Sequence, residues 1–135
     1  MFNNVLVKNL RAIRPVIANK LWNTVLASVS VMFSQMRKEE SWVTKEKDGF
    51  KVNGHSVESL SGSTLDLLGL AIRTSLLRTF LPQCGLLVLD EPMHGCDEAR
   101  SESMLGFLKS VDFQQTLLVS HESVSESVAD NLIVL

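Results

Sequence analysis

The sequence predicts an α/β domain in which parallel strands are flanked by helices, preceded by a long helix and a β-hairpin. Three observations carry that prediction. Short runs of leucine and β-branched residues recur at Gly85–Leu89, Thr116–Ser120 and Asn131–Leu135, with a helical pattern at Glu98–Ser110 between the first two. Such strand–helix–strand alternation favours parallel strands buried on both faces. Residues 16–38 contain neither Gly nor Pro and space their apolar side chains as a helix does. Residues 41–52 instead alternate around an Asp-Gly pair, the pattern of a hairpin.

A chain of 135 residues can build one packed core and is short for two. Its 45% apolar content and net charge of -2 exclude a disordered chain. No uncharged apolar run reaches the ~20 residues that a membrane span needs, so no membrane association is expected. The N-terminus lacks the small-residue cleavage site of a secretory signal. Cys84 and Cys96 make neither a disulfide framework nor a metal set, which suits a reducing, intracellular compartment: cytoplasm, nucleoid or nucleus. Charge is divided unevenly. Residues 1–51 hold nine Lys/Arg against four Asp/Glu, and residues 52–135 hold four against eleven. The basic excess would suit a polyanion such as DNA. On charge alone, the solvated face of a helix explains it better.

The elements follow in order. Val16, Ile17, Leu21, Val25, Leu26, Val29, Met32 and Met36 form one wide stripe, expected to be buried. Pro15 suits a first helical turn or marks a kink in a longer helix reaching back to Asn4. Strands on either side of Lys47-Asp48-Gly49 make the hairpin, and Asn53-Gly54 marks a second turn. Residues 64–81 are nearly continuous in apolar residues and stop at Pro82, which predicts a well-buried helix with Ser63 as N-cap and Asp66 in its first turn.

The strongest chemical signal is Leu86-Leu87-Val88-Leu89-Asp90-Glu91-Pro92. Four apolar residues predict a buried strand, and two acids stand at its C-terminal end, where open α/β sheets bind ligands. Adjacent carboxylates there need compensation, which Mg²⁺ with a nucleotide would supply. Neighbouring residues on a strand point apart, so Asp90 can hold the Mg²⁺ shell while Glu91 reaches an attacking water. Alone, the motif could also be a strand ending in a solvated acidic turn. Leu60-Ser61-Gly62-Ser63 is a small-residue turn that opens a helix and offers amides and hydroxyls to an anion. His121 ends a second strand run, on the sheet edge expected to carry Asp90 and Glu91. His55 and His94 read as loop residues.

In order and spacing these motifs resemble the C-terminal half of an ABC-type ATPase head: a signature motif at Leu60–Ser63, a Walker B strand with its catalytic glutamate, a D-loop at Gly95-Cys96-Asp97, and an H-loop. The hairpin that runs into Ser61, and the long helix before it, resemble the SMC, RecN and SbcC-type branch. There residues 1–40 would be a coiled-coil re-entry segment and residues 41–135 the head lobe. The resemblance implies Glu91 as general base, Asp90 holding Mg²⁺, His121 at the γ-phosphate, and Leu60, Ser61, Gly62, Ser63 and Asp97 binding ATP across a head–head dimer. It further implies DNA and an SbcD-type nuclease as partners, and a role in double-strand-break repair or recombination.

None of the seven glycines is followed by lysine, so the chain has no Walker A motif. A P-loop-bearing N-terminal lobe is therefore an expected partner, and the lobe alone is expected to be an inactive ATP hydrolase. Ser63 stands where the signature usually has a second glycine, Thr64 where it has Gln or Glu, and Met93-His94-Gly95 where small polar residues usually precede the D-loop. A side chain at position 63 narrows close phosphate approach. Two other readings stay open: a transporter ATPase, which needs a helical subdomain in place of the hairpin, and a non-catalytic lobe that regulates a partner ATPase.

Overall fold

A computed structural model describes Phe2–Val134. Helix α1 (Phe2–Arg37) runs through Pro15, the longer of the two expected courses. The proline withholds a hydrogen bond from the Arg11 carbonyl, a cost best tolerated where the helix is exposed, as it is here. The expected stripe is buried over only part of its length. Val25, Val29, Met32, Phe33 and Met36 are in the core, whereas Val16, Ile17 and Leu21 are 66%, 54% and 39% exposed. The elements that pack on α1 meet it from Trp22 onward, leaving the earlier apolar positions without neighbours. By length and composition Val7–Arg37 could cross a bilayer. Its C-terminal half is instead the central core helix, and Lys8, Arg11, Arg14 and Lys20 stud the exposed half.

The hairpin forms as expected, with β1 (Val43–Glu46) antiparallel to β2 (Gly49–Val52). Gly49 takes a positive φ of 134° at the end of the turn. A short β3 (His55–Ser56) adds to β2, so His55 lies on a strand rather than in a loop. The connection is Asn53-Gly54, with φ of 52° and 81°, the paired positive values that a two-residue hairpin turn demands. The Asn53 side chain also accepts the Trp42 amide at 2.9 Å. This sheet is fastened to α1: the Ser30 hydroxyl accepts the Val43 amide at 2.9 Å, and Trp22 meets Phe50 edge to face.

A 3₁₀ turn, Val57–Ser59, leads into α2 (Gly62–Phe80). The N-cap is Ser61, not Ser63, because the Ser61 hydroxyl accepts the Thr64 amide and the Ser61 carbonyl accepts the Leu65 amide. Asp66 consequently falls beyond the first turn. The helix is buried on one side only: Leu67, Leu68, Leu70, Ala71, Thr74 and Ser75 face the core, while Leu65 and Phe80 are exposed. Ser75, fully buried, donates to the Val25 carbonyl at 3.0 Å and pins α2 to α1.

Strand β4 (Leu86–Asp90) pairs in parallel with β5 (Gln115–Val119), and α3 (Glu98–Ser110) connects them at the expected residues. A short α4 (Ser123–Glu126) follows. The expectation of strands buried on both faces fails. Leu87 and Leu89 enter the core, but Leu86, Val88, Leu117 and Val119 are 46–56% exposed on the opposite face. Leu87 and Leu89 join residues of α1, α2 and α3 in the core cluster, while the apolar residues of the other face stay exposed among the described residues. The expected strand at Asn131–Leu135 is also absent over the described residues 131–134. Strand propensity needs a paired neighbour to be expressed, and this segment has none; Ile133 and Val134 are 80% and 83% exposed. Leu135 lies outside the described residues.

Candidate functional site

Parallel pairing sets the ends of β4 and β5 side by side, with Asp90 opposite Val119. The Glu91 amide extends the ladder by donating to the Val119 carbonyl at 2.9 Å. Glu91 itself has φ +45°, in the left-handed region, so the chain turns sharply immediately after Asp90. The turn is held by the His94 amide on the Glu91 carbonyl at 3.2 Å, by the Cys96 amide on the Met93 carbonyl at 2.9 Å, and by the fully buried Met93. Asp90 is exposed at the strand end.

The turn delivers the Glu91 carboxylate to His121, whose Nδ1 lies 2.8 Å from Glu91 Oε1. That hydrogen bond, and then the carboxylate charge, hold the His121 imidazole above its ordinary pKa of 6.5. The second oxygen, Oε2, is buried with no hydrogen-bond partner among the described residues. A carboxylate oxygen withdrawn from water and left without a donor is costly, so a water or substrate proton placed there would be well received. The His94 ring meets the His121 ring edge to face, with centroids 6.5 Å apart.

A second polar cluster gathers at the N-termini of α2 and α3. Asp97 caps α3 by accepting the Arg100 amide at 2.8 Å. Arg100 Nη1 then donates to the Ser63 hydroxyl at 2.6 Å and lies 3.4 Å from Asp97 Oδ2. Ser61 Oγ is 2.8 Å from Thr64 Oγ1 and 3.4 Å from Ser63 Oγ. Gly62 is exposed beside them with open space where a Cβ would stand. Cys96, half-buried behind the Asp97 cap, has its thiol pKa raised by burial.

The structure thus brings Glu91 and His121 into contact, with Asp90 adjacent, and joins Asp97 to Ser63 through Arg100. Among the described residues no hydrogen bond connects the two clusters. Leu60 is partly buried against the core, and its amide donates to the Val57 carbonyl at 3.1 Å. Two residues escaped the sequence reading. Arg100 shares the first turn of α3 with Asp97, an i, i+3 pair that was visible, but its contact with Ser63 spans 37 positions. His94, read as a loop residue, meets the His121 ring edge to face.

No family model matches the chain. Over 83 residues, 61% of its length, the chain is 30% identical to the DNA double-strand break repair Rad50 ATPase of Methanococcus maripaludis, of which it spans 8%. The SMC head domain from Thermotoga maritima superposes with a TM-score of 0.63 at 21% identity, covering 81% of this chain and 41% of that one. The Smc head domain from Pyrococcus furiosus, with an extended coiled coil and bound to the C-terminal domain of ScpA, gives 0.62 at 18% identity, covering 80% and 30%. The fold is that of an SMC head lobe. Beside that fold stands the sequence likeness to a Rad50 ATPase, of whose length this chain spans only a small part.

Proposed function

We propose that the chain is the C-terminal lobe of an SMC/SbcC-type head that hydrolyses ATP between two heads, in DNA double-strand-break repair or recombination. The observation that carries this reading is the Glu91 carboxylate, with one oxygen on His121 and the other buried and free to accept a proton. A general base needs such an acceptor oxygen, oriented by a fixed partner. Asp90, an exposed hard-oxygen ligand next to it, fits Mg²⁺, which binds through one or two carboxylates plus water and phosphate. ATP with Mg²⁺ would supply the phosphoryl group and neutralise its charge. The protein's own residues would do the rest: Asp90 holds the hydrated metal, Glu91 takes the proton of the attacking water, and His121 contacts the γ-phosphate. Ser61, Gly62, Ser63 and Asp97 would meet the nucleotide of a facing head, and Leu60 sets the turn that presents them.

The P-loop must come from an N-terminal lobe, whether a separate chain or a segment outside these residues. The bare face of the β4–β5 sheet supports that requirement, because parallel sheets are normally covered on both sides. The hairpin β1–β2 lies where the transporter reading needs a helical subdomain, which favours the SMC-type branch. DNA and an SbcD-type nuclease are the proposed further partners. The exposed bases Lys8, Arg11 and Arg14, in a stretch 1–38 free of acidic residues, suit a phosphate backbone.

The test mixes the chain with a P-loop-bearing lobe and measures ATP turnover and dimerisation. Glu91→Gln is expected to abolish turnover and trap an ATP-bridged dimer. Unchanged turnover in that variant would remove Glu91 from its role, and tight partner binding without turnover by the wild type would favour a regulatory lobe. DNA binding is expected to weaken steeply with salt.

A further inference from the structure

Ser63 departs from the glycine usual in the signature, and the structure gives its hydroxyl a definite partner, the Arg100 guanidinium at 2.6 Å. Electrostatics alone would not put a cation there. The N-terminal ends of α2 and α3 both carry partial positive charge, so a guanidinium between them is opposed by both helices. Asp97 offsets that opposition from 3.4 Å while its other oxygen caps α3. The planar guanidinium can serve Asp97 and Ser63 together, which a single ammonium point charge does poorly. The arrangement is therefore a strut: the D-loop aspartate holds the arginine, and the arginine holds the first turn of the signature helix.

We infer that Arg100 is a positioning residue that, through the Ser63 hydroxyl, locks the N-terminal turn of α2 to the N-terminal turn of α3, so that the signature and D-loop segments move as one body. The bridge stands on this chain's geometry alone; its consequence for catalysis rests on the ATPase reading proposed above. A glycine at position 63 offers no side chain for such a strut, so the serine exchanges close phosphate approach for rigidity of the surface presented to a facing head.

Two measurements on the full chain test it. Amide hydrogen exchange reads the bridge directly at Thr64 and Leu65, whose amides donate to Ser61. Arg100→Ala and Ser63→Ala are each expected to speed exchange at these two amides about tenfold, and the double variant no further. Ser63→Thr, which keeps the hydroxyl, stays close to wild type, and amides deeper in α2, at Leu68 and Ala71, stay unchanged in all variants. Unchanged exchange at Thr64 and Leu65 in Arg100→Ala, or additive effects in the double variant, would overturn the bridge. The second measurement is ATP turnover by the chain combined with a P-loop-bearing lobe. Arg100→Ala should lower kcat about tenfold with KM held within about twofold. An undiminished kcat in Arg100→Ala overturns the positioning role and leaves the ATPase reading intact. No turnover by the wild-type mixture counts against the ATPase reading, and the exchange result then decides the bridge by itself.

Discussion

The Glu91 carboxylate and the His121 imidazole lie 2.8 Å apart and tie together the ends of two parallel strands. Both side chains reach their meeting point by leaving the strand pattern: Glu91 through its left-handed backbone, His121 two residues beyond the end of β5. The pair joins what the sheet has already aligned.

Its pH dependence follows from the direction of the His121 shift. The imidazolium is favoured beside the carboxylate, so His121 titrates above 6.5 in the folded chain. The attraction is complete below 6.5, the ordinary value, and is lost as pH rises through the raised value. Proton NMR of the His121 ring should give a midpoint above 6.5 in the wild type and a lower one in Glu91→Gln. An identical midpoint in both proteins would show that the carboxylate does not govern the histidine.

Adjacent positions on α2 should respond in opposite directions. Ser75 is fully buried and donates to Val25, so Ser75→Ala is expected to destabilise the chain by about 1 kcal/mol. Thr74 is equally buried, but its hydroxyl has no partner among the described residues. Thr74→Val keeps the shape, removes the orphaned group and should stabilise by about 1 kcal/mol. Urea midpoints at unchanged slope measure both. A destabilising Thr74→Val would mean that the hydroxyl is satisfied in solution.

The same contrast shows what the sequence could and could not reveal. Local signals read well. Asp97 caps α3 and Val111 ends it, so its bounds were legible to the residue, and the Asp-Gly and Asn-Gly pairs fixed both hairpin turns. Ser61 and Ser63 flank one glycine, and composition could not say which of them caps α2. Periodicity found the apolar stripe of α1 but could not say how far its neighbours extend, and so Val16 and Ile17 were misjudged. The run 131–135 has strand propensity without a strand to pair with, and pairing is a property of the whole fold. At the candidate site, Glu91, His121, Asp90 and Ser61 stand at element ends, where residue type alone marks them as candidates. The Arg100–Ser63 bridge joins positions 63 and 100, and nothing local in the sequence marks it.

The turn between β2 and β3 offers a test of backbone conformation. Gly54 has φ +81° with open space around a built Cβ, so a substitution there meets strain but no clash. Gly54→Ala should cost about 1 kcal/mol, and Asn53→Ala should cost a similar amount by losing the bond to the Trp42 amide. Because Trp42 leads into β1, Trp fluorescence should change in the Asn53 variant. Equal stability of Gly54→Ala and wild type would indicate that the turn adopts another conformation in solution.

The bare side of the β4–β5 sheet separates folding from assembly. Leu86, Val88, Leu117 and Val119 form a contiguous apolar face, and Val88 is 56% exposed in the middle of it. Val88→Lys touches none of the core that Leu87 and Leu89 build on the other side, so the stability of the chain should stay within about 0.5 kcal/mol of wild type. If a P-loop-bearing lobe covers this face, the buried lysine would be a desolvated, unpaired charge there, and association should weaken at least about tenfold. Thermal unfolding checks the first expectation and isothermal titration with the N-terminal lobe checks the second. Loss of fold in Val88→Lys would mean that the face is already covered within the chain, and undiminished association would place the lobe–lobe contact elsewhere.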